Sequence, residues 1–241
     1  MAVFWLSMRQ LTGRFRMGLI LLLAALPVAL AVIVYFAASD DESFDEDFIV
    51  IFLLDGLLVA GIMPIVTMAL ATAAFGNELE DGTLSNLLLK PLPRWRIALP
   101  KLLASVVICG PLVVASGVTA TLVGFDVDFG AALAVGVALL LGVVAYAAIF
   151  TWAGLITSRA LAFALIYVLL WEGIIGSFID GVSYLSVRGY TLGIMYGLDE
   201  SAFAPLGDQV IEFPVAIAGA VIVTVVFLLL GVRRLRRMDV S

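Results

Sequence analysis

The chain contains no histidine and one cysteine, Cys109, in 241 residues. The first absence excludes imidazole acid–base chemistry and histidine-containing metal sites. The second excludes an intrachain disulfide, so no redox compartment can be read from it. Charge is scarce as well: 13% of the residues are Asp, Glu, Lys or Arg and 63% are hydrophobic, where soluble domains average about 25% charged. Disordered, collagen-like and disulfide-framework classes are excluded, and an all-α polytopic membrane protein is expected. Twenty-two glycines and eight prolines fit, because membrane helices carry more of both than soluble ones.

Long apolar runs are abundant. A membrane helix needs about 20 mostly apolar residues to cross roughly 30 Å of hydrocarbon. Six segments qualify: 17–38, 48–75, 101–124, 130–156, 160–179 and 215–232. Uniformly apolar runs also exclude a transmembrane barrel, whose strands alternate in polarity. The fourth and fifth are divided only by Thr157, Ser158 and Arg159. The whole chain, 1–241, reads as a single membrane domain.

The two signs of charge segregate. With six spans, twelve of the thirteen basic residues fall on one side. They are Arg9, Arg14 and Arg16 before the first span, Lys90, Arg94, Arg96 and Lys101 between the second and third, Arg159 between the fourth and fifth, and Arg233, Arg234, Arg236 and Arg237 after the sixth. Basic residues stay inside, so both termini are expected in the cytoplasm of a cell membrane. Arg188 alone lies opposite. The outer loops are acidic: Asp40, Asp41, Glu42, Asp45, Glu46 and Asp47, then Asp126 and Asp128, then Asp180, Asp199, Glu200, Asp208 and Glu212. Such a face fits life in high salt, and it equally fits plain solvated loops.

The N-terminus has basic residues before an apolar core, as a signal peptide does. Its run is longer than the roughly 7–15 residues of such a core, which favours a retained span. Within 1–16, Phe4, Met8, Leu11 and Phe15 make one apolar helical stripe, suited to the membrane interface. A mobile basic tail is the competing reading.

The most informative stretch is cytoplasmic, 77–94. Thr83 can cap a short helix with Leu84, Leu87 and Leu88 on one face, and Pro91 and Pro93 would stop it. Glu78, Glu80 and Asp81 lie at its N-terminal side, where the helix dipole favours negative charge. Arg94 and Arg96 follow, and Pro100 is placed to open the third span. A stiff capped helix held between two spans suits a protein partner, and an ordinary chain-reversing loop has the same composition.

This stretch resembles the ABC-2 family of ABC-transporter permeases: acidic residues, Gly-Thr-Leu, paired leucines, proline, arginine, then lysine opening the next span. Glu78, Glu80, Gly82, Thr83, Leu84, Leu87, Leu88, Pro91, Arg94 and Lys101 carry the likeness, and the doubled Pro91/Pro93 departs from it. The six-span layout and amphipathic N-terminus look like that family too. The resemblance implies that residues 78–89 form a coupling helix seated in a separate ABC ATPase subunit, with Glu78 and Glu80 as leading contacts. It also implies a second permease chain, identical or related, and an exporter as the whole. The chain itself is then non-catalytic, with ATP and Mg bound only by the partner ATPase. No Gly-x-x-x-x-Gly-Lys-Ser/Thr loop surrounds Lys90 or Lys101. No metal site is expected, and membrane lipid rather than nucleic acid is the surrounding partner.

Two acids fall inside spans, Asp55 and Glu172, each roughly 10–12 Å below the outer boundary at about 1.5 Å per residue. Ionisable groups at such depth are costly and face protein or water. Either they line the pathway or its gate, with Arg188 reaching back to one of them, or they pair to stabilise helix packing. The loop 180–214 is unusually apolar, with Val182, Tyr184, Leu185, Val187, Tyr190, Leu192, Ile194, Met195 and Tyr196. It can dip into the membrane as short helices, or lie flat with its tyrosines at headgroup level. The runner-up function is a secondary ion-coupled transporter using Asp55 and Glu172, although no inverted repeat is visible. An intramembrane hydrolase fails for want of histidine and of a second intramembrane aspartate.

Overall fold

The computed structural model describes residues 2–38, 49–84, 89, 93–124, 128–157, 159–175, 182–207 and 210–238. Among these there are helices and turns and no strand. Helix α1 spans Ala2–Leu11 and α2 spans Arg14–Ala38. Helix α3 covers Ile49–Glu80. Its first part, Ile49–Ile62, winds as a π-helix, and α-helix follows over Met63–Ala71 and Ala73–Glu80. The winding changes beside Pro64, which removes one amide donor from the ladder. Helices α4, Trp95–Gly124, and α5, Phe129–Ile156, come next. Helix α6, residues 160–175, is α-helical over Ala160–Tyr167 and π-helical over Val168–Ile175. Helices α7, Val187–Leu198, and α8, Phe213–Arg237, complete the chain.

Five of these, α2, α3, α4, α5 and α8, are long and apolar enough to cross a bilayer. The span expected over 160–179 is a shorter apolar helix, and residues 176–179 lie outside the described part. Two of the boundaries that differ from expectation bear on the site. Helix α3 runs on to Glu80, because an internal partner for Glu78 lets the helix carry acids past its apolar run. Helix α4 begins at Trp95, six residues early, so Pro100 sits inside the helix rather than at its start. The first turn is closed by the Pro93 and Arg94 carbonyls, the latter accepting from the Ala98 amide at 3.0 Å. The one carbonyl that Pro100 strips of its donor belongs to Arg96, which is exposed to solvent.

Helix α5 is the hub, packed by α3, α4, α7 and α8 and at its C-terminal end by α6. It is apolar all round and rich in small residues, with one face buried among other helices and Leu133 and Leu140 left exposed on the other. Ala131, Ala134, Ala138, Gly142 and Ala145 are buried on it. At Gly154 an added Cβ would lie 2.5 Å from the Thr72 carbonyl oxygen, so the α3 and α5 backbones touch. Close backbone approach through small residues drives membrane helix association. Tyr146 and Phe150 stack beside this seam, ring centres 5.5 Å apart. By contrast α2 and α8 leave Leu22, Ile33, Phe36, Ile222 and Leu229 exposed, as lipid-facing helices do.

Alternating helix directions give the bundle two distinct ends. At the basic end Glu78 meets Lys101 and Gly231 faces Leu155. At the acidic end Gly124 abuts Ile49, and Asp128 caps α5 by accepting from the Gly130 amide at 2.7 Å. The α1 stripe is turned to protein: Leu11 is buried and Phe4 and Met8 pack on the core, while Trp5 and Leu6 are exposed. The Phe15 side chain lies outside the described part. The apolar loop over 180–214 also has a structural reason. Its helix α7 buries Val187, Tyr190, Leu192, Ile194 and Met195 against α5 and α8.

Candidate functional site

The segment expected to couple is built on the last turns of α3. Glu78 is buried, and its Oε1 accepts from Lys101 Nζ of α4 at 2.7 Å. Lys101 is 1% exposed. It donates as well to the Ala74 carbonyl, and its ammonium lies 4.7 Å from the Phe75 ring centre. The second oxygen of Glu78 has no hydrogen-bond partner. This pair ties the end of α3 to the beginning of α4 across the intervening loop.

After Glu80 the helix stops by a specific device. Asp81 is its C-cap, and Gly82 takes φ +66°. The Thr83 amide then reaches back to the Glu78 carbonyl at 3.0 Å. That is a Schellman closure, in which the left-handed position favours glycine because it has no Cβ. Glu80, Asp81, Gly82 and Thr83 are all exposed. Leu84 turns inward, 4% exposed, to pack with Phe75, Ile97, Ala98, Leu155 and Leu235.

The residues expected to couple therefore divide. Glu80, Gly82 and Thr83 form an exposed edge, whereas Glu78 and Leu84 face the protein. Thr83 serves as the closing residue of the preceding helix. The short helix expected after it falls on residues outside the described part, as do Leu87, Leu88 and Pro91. Lys101 was visible as a motif residue but not as the partner of Glu78. The available signal was that an acid ending one span and a lysine opening the next share one end of the bundle.

The other polar cluster lies at the acidic end and joins α3, α6 and α7. Arg188 grips Asp55 with both arms, Nε to Oδ1 and Nη2 to Oδ2, each at 2.7 Å. Hydrogen bonding to Asp55 pushes the guanidinium still further above its ordinary range. Glu172 is 1% exposed and serves the start of α7. It accepts from the amides of Val187 at 3.1 Å and Arg188 at 3.4 Å, and from the hydroxyls of Ser186 and Tyr167. Ser186 in turn caps α7 by accepting from the Gly189 amide at 3.1 Å. A carboxylate at a helix N-terminus is held by free amides and by the dipole.

Asp55, Glu172 and Arg188 thus come together, with Arg188 choosing Asp55 by its side chain and Glu172 by its backbone. Both acids sit in the π-helical stretches, a winding that recurs at functional positions. Ser186 and Tyr167 were missed. The Ser before an apolar run marks a cap, but nothing in a single sequence says which carboxylate will reach it. Among the described residues no group of three or more potential metal ligands occurs.

No curated protein matches the chain in sequence. A family model described as "ABC-2 family transporter protein" matches residues 13–187, which takes in residues 77–94, Asp55, Glu172 and the first residue of α7. With more than half of its length matched, this chain belongs to the ABC-2 family of transporter membrane proteins.

Proposed function

We propose that this permease is the membrane subunit of an ATP-driven exporter powered by a separate ABC ATPase. Two permease chains, identical or related, enclose the path above two ATPase subunits, which alone hold ATP and Mg. The basic end faces the cytoplasm, with both termini there, and α6 completes a six-span layout. The edge Glu80–Thr83 enters the ATPase groove, with Leu87 and Leu88 as the further contacts expected from the sequence. What carries this reading is that an exposed acidic edge is fastened at its root to α4 by Lys101. Force applied there moves two helices together. ATP binding then shifts the population between inward and outward conformations.

At the far end, Asp55–Arg188 and Glu172–α7 form the outer gate. The ion-coupled alternative draws less support, because Asp55 is already engaged by a guanidinium.

Reversal of the exposed charges, Glu80→Lys with Asp81→Lys, tests the coupling. The tagged full-length chain should extract intact from its native membranes but lose the copurifying ATPase, identified by mass spectrometry. Unchanged ATPase recovery and transport would reject the assignment. Glu78 is left alone, since its reversal would damage the fold.

A further inference from the structure

A groove of about 490 Å³ lies between α5, α6 and α8 and opens toward the basic end; it shares only Tyr167 with the Glu172 cluster. Phe150, Trp152 and Ile156 of α5, Phe163 and Tyr167 of α6, and Phe227 of α8 line it. Trp152 and Phe227 meet edge to face, ring centres 5.2 Å apart, and make its back wall. Along α5 the lining runs from Ile149 to Thr157, about 12 Å at 1.5 Å per residue. That approaches the roughly 15 Å hydrocarbon depth of one leaflet.

The rim of this slot is cationic. Thr157 ends the lining, and its hydroxyl oxygen accepts from the Arg159 amide at 3.1 Å, so Arg159 stands at the mouth. On α8, Phe227 and Arg234 lie seven residues apart, which places them on one helix face two turns apart. Between them Gly231 faces the Leu155 side chain, so Arg234 reaches the same level. Both arginines are exposed. Among the described residues no acid pairs with either. An apolar slot under two uncommitted guanidiniums is complementary to one chemistry, an apolar chain carrying an anionic head.

We propose that the α5–α6–α8 groove binds an acyl chain of an anionic phospholipid whose phosphate is held by Arg159 and Arg234. This site goes beyond the coupling assignment and stands without it, since neither arginine belongs to that segment. A cationic residue near an anionic lipid surface contributes about fivefold in binding, so each arginine should contribute a preference of that order.

The chain has four tryptophans. Replacing Trp5, Trp95 and Trp171 by Phe leaves Trp152 as the sole reporter inside the groove. The full-length variant is reconstituted in phosphatidylcholine vesicles containing either dibrominated phosphatidylglycerol or dibrominated phosphatidylcholine. Bromine quenches the tryptophan only at contact. The anionic lipid should quench several-fold more at equal mole fraction. Arg159→Gln with Arg234→Gln should equalise the two lipids, and Ala153→Phe should fill the slot and abolish quenching by both.

Equal quenching in the parent would overturn the proposal, as would a preference that survives loss of both arginines. Absence of quenching by either lipid would also overturn it, pointing to a groove covered by protein. If the reporter chain does not fold, retention of phosphatidylglycerol is compared by native mass spectrometry between the unmodified chain and Arg159→Gln/Arg234→Gln. Equal retention would then refute the site.

Discussion

Removing the charge of Lys101 should do more harm than removing the whole ion pair. The Lys101 and Glu78 side chains are 1% and 9% exposed, so water cannot replace a lost partner. Lys101→Met strands a carboxylate that already has one oxygen unsatisfied. Breaking a buried pair from one side costs about 3–5 kcal/mol, whereas replacing both members by apolar groups is often neutral or stabilising by about 1–4 kcal/mol. Two further contacts temper the comparison. The donation to Ala74 and the approach to the Phe75 ring disappear in both variants, and the ring contact is worth about 0.5–2 kcal/mol. Glu78→Leu/Lys101→Met should therefore lie near the parent, with Lys101→Met several kcal/mol below it. The assay is reversible unfolding of the purified full-length chain in detergent, run as a double-mutant cycle. If the single and double variants lose equal stability, the carboxylate is not enclosed and the reasoning fails.

Two other outcomes follow from the same geometry. Glu172→Gln replaces the charged acceptor at the start of α7 by a neutral amide, and charge-assisted hydrogen bonds are roughly twice as strong as neutral ones. Amide hydrogen exchange at Val187 and Arg188 should quicken by about tenfold or more, at about 1.4 kcal/mol per decade, while α5 exchanges as before; unchanged exchange at both amides refutes the capping role. Gly82→Ala forces a Cβ into the left-handed region at a cost of about 1–2 kcal/mol. Its thermal transition should fall, with Gly82→Asn milder because Asn tolerates that region; equal behaviour of Ala and Asn would argue against the closure.

The helices were legible in the sequence because length and apolarity alone define them. The segregation of Arg and Lys from Asp and Glu likewise distinguished the two ends of the bundle. What escaped depended on partners far away in the chain. The ends of α3 and the start of α4 are set by Glu78 meeting Lys101 and by the backbone closures at Gly82 and Arg94, none of which changes the apolar pattern. The π winding around Asp55 and Glu172 was invisible for a different reason. A segment apolar on every side has no periodic face whose shift would betray a wider turn. Leu84 was read as part of an apolar stripe, but a stripe does not say whether a partner or the protein's own core receives it, and Leu84 turns to the core. The same ambiguity applied to α1, whose stripe turns to protein, and to α7, whose apolar residues pack on α5 and α8.

Helix α3 is the element that both clusters share. Its Glu78 is fastened to α4 at the basic end, and its Asp55 is fastened to α7 at the acidic end. Between these points Gly154 of α5 lies against the Thr72 carbonyl, close to the basic end and far from Asp55. A load on the edge beyond Glu80 would therefore meet α3, α4 and α5 as one block, while the Asp55 end of α3 is tied to α7 by a polar clamp whose strength depends on geometry. Bidentate guanidinium–carboxylate contacts are strongly directional, so a small rotation of α3 about the Gly154 contact would cost the Arg188 clamp more than it costs the packed basic end. On the proposed function this asymmetry makes the acidic end the place that yields. Release of Asp55 would then free α7 from its clamp on α3, while Glu172 still holds its start and its buried apolar residues still pack on α5 and α8.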